Sequence, residues 1–152
     1  MPRETLQHFM TPGVSVIVGT VDADGVPTCC RAIAVATKDD FDTLTVYVPA
    51  ATAQETVANV ATTRRMAISC THPLSAESIQ IKGLTRGVRL AAASEEAFVR
   101  QRLDEFGEIL DQIGLPKRVT HSIAHWPAFA VDVSVEQVFN QTPGPKAGAT
   151  IG

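Results

Sequence analysis

Arg31 is the residue in this chain whose type and surroundings most suggest chemistry. It lies in the run VPTCCRAIAVAT, Val26 to Thr37, which has the composition of a β-strand. In an extended chain, alternate side chains face opposite ways. One face then carries Cys29, Arg31, Ile33 and Val35, and the other carries Cys30, Ala32, Ala34 and Ala36. The second set is small throughout. Small side chains let a flat ligand lie close to a backbone, and they equally let a second layer of the same protein pack there. Periodicity alone leaves both readings open.

Other reactive side chains give weaker patterns. Cys29, Cys30 and Cys70 match no zinc spacing, and Cys29 and Cys30 point to opposite strand faces, which disfavours a bond between them. They read as buried thiols. His121 and His125 would share a helix face, but no third ligand is in phase, so packing or surface roles are favoured over metal. His72 precedes a proline and belongs in a turn. Asp39, Asp40 and Asp42 read as a solvated acidic turn, Arg64 and Arg65 as a charged turn, and Trp126 as an interface or core anchor. No nucleophile elbow, phosphate-binding glycine loop with lysine, or dinucleotide fingerprint is present. No residue stands out as a general acid or base.

The elements that position Arg31 can be read in order. Glu4 to Met10 suits a short helix, ended by Thr11-Pro12-Gly13. Val14 to Val21 is a strand, joined to the Arg31 strand by Asp22-Ala23-Asp24-Gly25, a hairpin signal. A third strand, Thr43 to Val48, sets Leu44, Val46 and Val48 against Thr45 and Tyr47. Thr52-Ala53-Gln54-Glu55 fits a capping box, with Val57, Val60 and Ala61 at helical spacing behind it. Strands follow at Arg65 to Thr71 and at Ser78 to Ala91. The latter has Ile79, Ile81 and Gly83 on one face and Ser78, Gln80, Lys82, Leu84 and Arg86 on the other. Its two internal glycines imply a bulge or bend, as strands need where a sheet curls into a barrel. Ser94-Glu95-Glu96 starts a helix carrying Val99, Leu103, Phe106, Leu110 and Ile113 at helical spacing, with Ser94 as the cap. Lys117 to Pro127 has no clear assignment. Ala128 to Phe139 is the last strand, with Phe129, Val131, Val133 and Val135 facing one way.

Six strands and two main helices, with the strands in mostly antiparallel succession, describe a mainly β protein with peripheral helices, built as a small closed or half-open antiparallel barrel. At 152 residues and 45% hydrophobic content, one domain is expected over residues 1–139, followed by an irregular Gly/Pro-rich tail at 140–152. The net charge of −3 and the absence of a basic block exclude nucleic acid as the expected partner. No apolar run is long enough for a bilayer, and MPRETLQHFM lacks the apolar core of a signal peptide. A cytoplasmic location without membrane attachment is expected.

Three stretches, GTVDADGVPTCCRAIAV, LTVYVPAATAQETVANVATTRRMAISC and SIQIKGLTRGV, give the chain a resemblance to the pyridoxamine 5′-phosphate oxidase-like family from about Phe9 to Gln137. That resemblance implies an FMN-binding split β-barrel and a homodimer with two cofactor sites at the shared interface, where the tail or the Trp126 region covers the partner's site. It implies a flavoprotein oxidoreductase acting on a small molecule, and extends to deazaflavin or haem in place of FMN. The alternative is a barrel that holds haem or another planar ligand without flavin chemistry.

By the same resemblance, Arg31, Ala32 and Ile33 match the segment that lies against the flavin ring, and Tyr47 joins them from the third strand. Thr52, Ala53 and Gln54 match a Ser-Arg-Lys-like phosphate clamp whose two cations are missing here. Lys82 and Arg86 are candidates to replace them. Ser78 matches a flavin-contacting Gln, and Gln80 could serve instead. The Trp and Arg pattern of true pyridoxamine phosphate oxidases is absent, so oxidation of pyridoxamine phosphate is not expected.

Overall fold

The structure, a computed structural model, describes residues 2–38 and 40–152; Asp39 of the acidic turn lies outside the described residues. A helix α1 (Arg3–Phe9) precedes strand β1 (Ser15–Val21). The turn that follows is closed by the Asp22 carboxylate, which accepts from the backbone N–H groups of Asp24 (2.9 Å) and Val26 (2.8 Å). Gly25 sits there at a φ of 84°, which a side chain would resist. The chain returns as β2 (Pro27–Ala32), breaks at Ile33, and continues as β3 (Ala34–Thr37) into β4 (Thr43–Pro49).

That break defines the architecture. β2 pairs with β1, β3 pairs with β4, and the Ile33 N–H donates to the Tyr47 carbonyl at 2.9 Å. With β5 (Arg65–Thr71), β6 (Ser78–Leu90) and β7 (Ala128–Asn140), the antiparallel order is β2-β1-β5-β6-β7-β4-β3. The two ends of this order are consecutive in the chain. The sheet therefore curls back on itself as a split β-barrel, with one bent strand shared between its two edges. Register shifts at Lys82/Gly83 and Thr85/Gly87 supply the curl that the two glycines of β6 foretold. A Cβ at Gly83 would collide with the Ser134 carbonyl of the neighbouring strand.

The inward residues form the main core, including Val18, Leu44, Val46, Ile68, Ile81 and Val133, all fully buried. Each such side chain contributes about 1.5–3 kcal/mol by leaving water. Helix α2 (Gln54–Thr62) adds Val60 to this core, and its Asn59 amide donates to Thr20 at 3.1 Å. Helix α3 (Glu96–Asp111) covers a different surface. Its Val99 and Leu103 pack on Ile33, Ala34, Tyr47, Ala128 and Ala130. A short helix α4 (Lys117–His121) lies in the stretch the sequence left unassigned.

Several expectations change. The alanines of residues 30–36 do not form one face. The break at Ile33 offsets the alternation, so Cys30 and Ala32 join the barrel interior while Ala34 and Ala36 face the cluster under α3. The capping box at Thr52 does not form: α2 starts at Gln54 behind a buried Ala53, without a side-chain cap, and Glu55 instead accepts from the Thr28 hydroxyl at 2.7 Å. Ser94 is not a cap either. A 3₁₀ turn, Ala93–Glu95, precedes α3, and the Glu95 carboxylate accepts from the Ala92 N–H at 2.6 Å. Ile113 lies beyond the end of α3 and is exposed. The tail is not wholly irregular: β8 (Thr150–Ile151) pairs with Val138 and Phe139, giving an eighth strand. Among the described residues, no helix is long and apolar enough to cross a membrane.

Candidate functional site

The strand registers place Cys29 opposite Gly19, Gly19 opposite Ala67, Ala67 opposite Lys82, and Lys82 opposite Gln137. These five residues make one rung across β2, β1, β5, β6 and β7. Their neighbours in sequence, Val18, Ile68, Ile81 and Val138, are buried in the core, so the rung lies on the outer face of the sheet. From its β2 end, Cys29, Gly19 and Ala67 leave the backbone low. A mainly apolar groove of about 520 Å³ follows, lined also by Val21, Pro27, Arg65, Lys82 and Glu136. That is the size of a small-molecule site. The sequence analysis missed this floor. The signal was Gly19 inside an otherwise β-branched strand, since a strand glycine often marks close approach to the backbone.

A second, more polar cavity of about 300 Å³ adjoins the first. It lies between β2 and the start of α2, lined by Thr52, Gln54, Glu55 and Thr56, and it shares Thr28 and Cys29 with the groove. Cys29 is an exposed thiol at this junction. Cys30 points away into the protein, where burial raises its thiol pKa and Thr56 Oγ1 lies 3.4 Å from its sulfur. Cys70 is sealed in the core, with its thiol pKa pushed up to about 12 by burial.

The candidate residues from the sequence divide into two groups. Lys82 lines the groove, with its ammonium 5.0 Å from the centre of the Phe139 ring. Gln80 and Ser78 share its strand face; Ser78 Oγ lies 2.9 Å from Thr71 Oγ1, and its N–H donates to Thr142. Thr52 and Gln54 line the polar cavity. Arg31 faces outward but turns toward α3, donating to Ser15 Oγ at 3.1 Å and lying 5.4 Å from the centre of the Phe106 ring. The other three point elsewhere. Ala32 is in the barrel interior, and Ile33 and Tyr47 are under α3. Arg86 donates to Ser134 Oγ at 2.6 Å. Neither Lys82 nor Arg86 lines the cavity at α2, so neither replaces the missing clamp cations there.

Tyr47 belongs to a polar knot. Its hydroxyl donates to Glu95 at 2.7 Å, and Arg89 grips the same carboxylate with two bonds of 2.6 and 2.7 Å. The Arg89 guanidinium holds the Glu95 carboxyl down at about 2. Burial, together with the Glu95 contact, pushes the Tyr47 phenol up to about 12. His121, at the end of α4, lies 3.1 Å from an Asp104 oxygen on α3, and the ring of His125, beyond α4, bonds with Arg100 (3.0 Å) and the Ile123 carbonyl (2.9 Å). Trp126 packs against the α3 cluster.

No protein-family model matches the chain, and no curated protein matches it. Solved structures do. HupZ of Group A Streptococcus aligns over 95% of this chain and 98% of its own, with 20% identity and a TM-score of 0.57. An F420 reductase aligns over 87% and 94%, with 14% identity and a TM-score of 0.57. An FMN-binding protein from Syntrophomonas wolfei aligns over 91% and 92%, with 13% identity and a TM-score of 0.55. Pyridoxamine 5′-phosphate oxidase-like descriptions recur among the other matches. The chain therefore has the split-barrel fold of the pyridoxamine 5′-phosphate oxidase-like FMN-binding proteins.

Proposed function

We propose that this protein binds a planar cofactor of the flavin type in the outer groove and uses it as an oxidoreductase on a small molecule. The observation that supports this reading is the flat rung of Gly19, Ala67 and Cys29, beneath an apolar space of about 520 Å³, on a fold shared with FMN-binding proteins. A tricyclic ring needs a level floor and apolar walls, and the groove offers both. When bound, a flavin supplies hydride or electron transfer itself, so the lack of a sequence-evident general acid or base is no obstacle. The chain's own part is to exclude water from one ring face through the floor of Gly19, Ala67 and Cys29 and to place the Lys82 charge beside the ring.

The resemblance that suggests the cofactor also suggests a homodimer. In that arrangement a second copy would lie over the open side of the groove and complete its cover. The test is to purify the protein, record its visible spectrum, and measure thermal shifts with lumiflavin, riboflavin, FMN, a deazaflavin and haem. A flavin-type spectrum or a flavin-induced rise in melting temperature is expected, because a ligand that binds only the folded state stabilises it by mass action. A Soret shift with haem and silence with every flavin would transfer the groove to the planar-ligand alternative. No response to any of them would end the reading.

A further inference from the structure

The ring end of the site and its α2 end differ in what they can bind. The α2 cavity is lined by Thr52, Gln54 and Glu55, together with Thr28, whose hydroxyl donates to Glu55, and Thr56, whose hydroxyl is turned to the Cys30 sulfur. Among the described residues, no lysine or arginine lines it. A phosphate placed there would find hydroxyl, amide and backbone N–H donors but would face the Glu55 carboxylate in place of a cationic side chain. Hydroxyl groups suit the same lining: an alcohol can donate to Glu55 or the Gln54 carbonyl and accept from the Thr52 hydroxyl or the Gln54 amide. The cavity adjoins the ring groove, with Thr28 and Cys29 lining both, so a single ligand can reach from one into the other.

Resting on the flavin-type reading above, we infer that the site is built for a planar ring carrying a neutral polyhydroxylated chain, the chemistry of riboflavin, and that it discriminates against the phosphorylated form. Glu55 is the residue that sets this preference. Its carboxylate is anchored by the Thr28 hydroxyl at 2.7 Å, at the point where the two cavities meet. It therefore has a fixed position from which to accept a chain hydroxyl and repel a phosphate.

The experiment is a set of fluorescence titrations of the full chain with lumiflavin, riboflavin and FMN, repeated for Glu55→Lys and Glu55→Gln. Riboflavin is expected to bind on the order of tenfold more tightly than FMN, the loss of about one charged hydrogen bond. Glu55→Lys is expected to reverse that order, while lumiflavin, which has no chain, is unaffected. Glu55→Gln is expected to bring riboflavin and FMN close to parity, and it remains informative should the lysine variant not fold. Tighter binding of FMN than riboflavin by the wild-type protein would overturn the inference while leaving the ring site standing. So would an order of preference indifferent to both Glu55 variants. Failure of lumiflavin, riboflavin and FMN alike would overturn the flavin reading as well.

Discussion

The two outer surfaces of this barrel are built on opposite principles. Under α3, small residues on β3 and β7 admit a helix, and polar groups there are paired: Glu95 receives bonds from Tyr47, Arg89 and the Ala92 backbone. Over β1, β2 and β5, small residues also lie in a row, but no element among the described residues covers them, and the nearby charges are loosely held. Arg65 and Glu136 stand 3.7 Å apart, both well exposed. One stripe of small residues serves packing and the other leaves a groove. The distinction rests on what lies above each stripe, which is why a stripe alone could not settle its own purpose.

This contrast can be broken by substitution. The largest stability effect is expected from Glu95→Ala, which leaves Tyr47 and Arg89 without their shared acceptor. A loss of about 2–3 kcal/mol in chemical denaturation is expected. Tyr47→Phe removes one bond to a charged group and should cost about 1.5 kcal/mol. A loss below about 0.5 kcal/mol in both would mean that α3 is held by apolar contacts alone.

The same knot predicts a pH window. Tyr47 is the chain's one tyrosine, so ultraviolet titration of phenolate reports it directly. Its folded pKa of about 12 lies above the ordinary 10, so its stabilising contribution is complete below pH 10 and lost as pH rises toward 12. Glu95 runs the other way. Its folded value of about 2 lies below the ordinary 4.5, so its contribution is present above that pH and lost as pH falls toward 2. A phenolate midpoint near 10 in the folded protein would contradict the knot.

The smallest stability effect is expected in the groove. An added Cβ at Gly19 meets nothing closer than the Thr28 carbonyl at 4.0 Å, so Gly19→Val should change stability by no more than about 0.5 kcal/mol. It should nevertheless raise the floor and weaken ring binding by about tenfold or more. Unchanged affinity would show that the ring lies elsewhere.

Much of the barrel was legible in the sequence because its signals are local. The Asp-Gly turn, the alternation in β5 and the paired glycines of β6 each act within a few residues. The break at Ile33 was not legible, since it depends on Tyr47 capturing its N–H from another strand. That break divides the predicted alanine face and sends Ala32 and Ala34 to different cores. For the site, Thr52 and Gln54 were placed by resemblance near the cavity they line. Lys82 was expected beside that cavity and lies on the outer groove instead. Tyr47 was expected at the ring and joins Arg89 and Glu95, more than forty positions away in the sequence. The groove floor went unread because Gly19 and Ala67 meet only through strand register.

β7 is longer than its neighbour β4, and the stretch at Val138 and Phe139, paired with β6 on one side but beyond the reach of β4 on the other, is where β8 comes to rest. The last few residues thus blunt a strand edge that would otherwise offer free backbone groups to another molecule. A chain shortened before Thr150 should keep its barrel yet become prone to self-association, visible as concentration-dependent light scattering, and a purification handle is better attached at the other terminus.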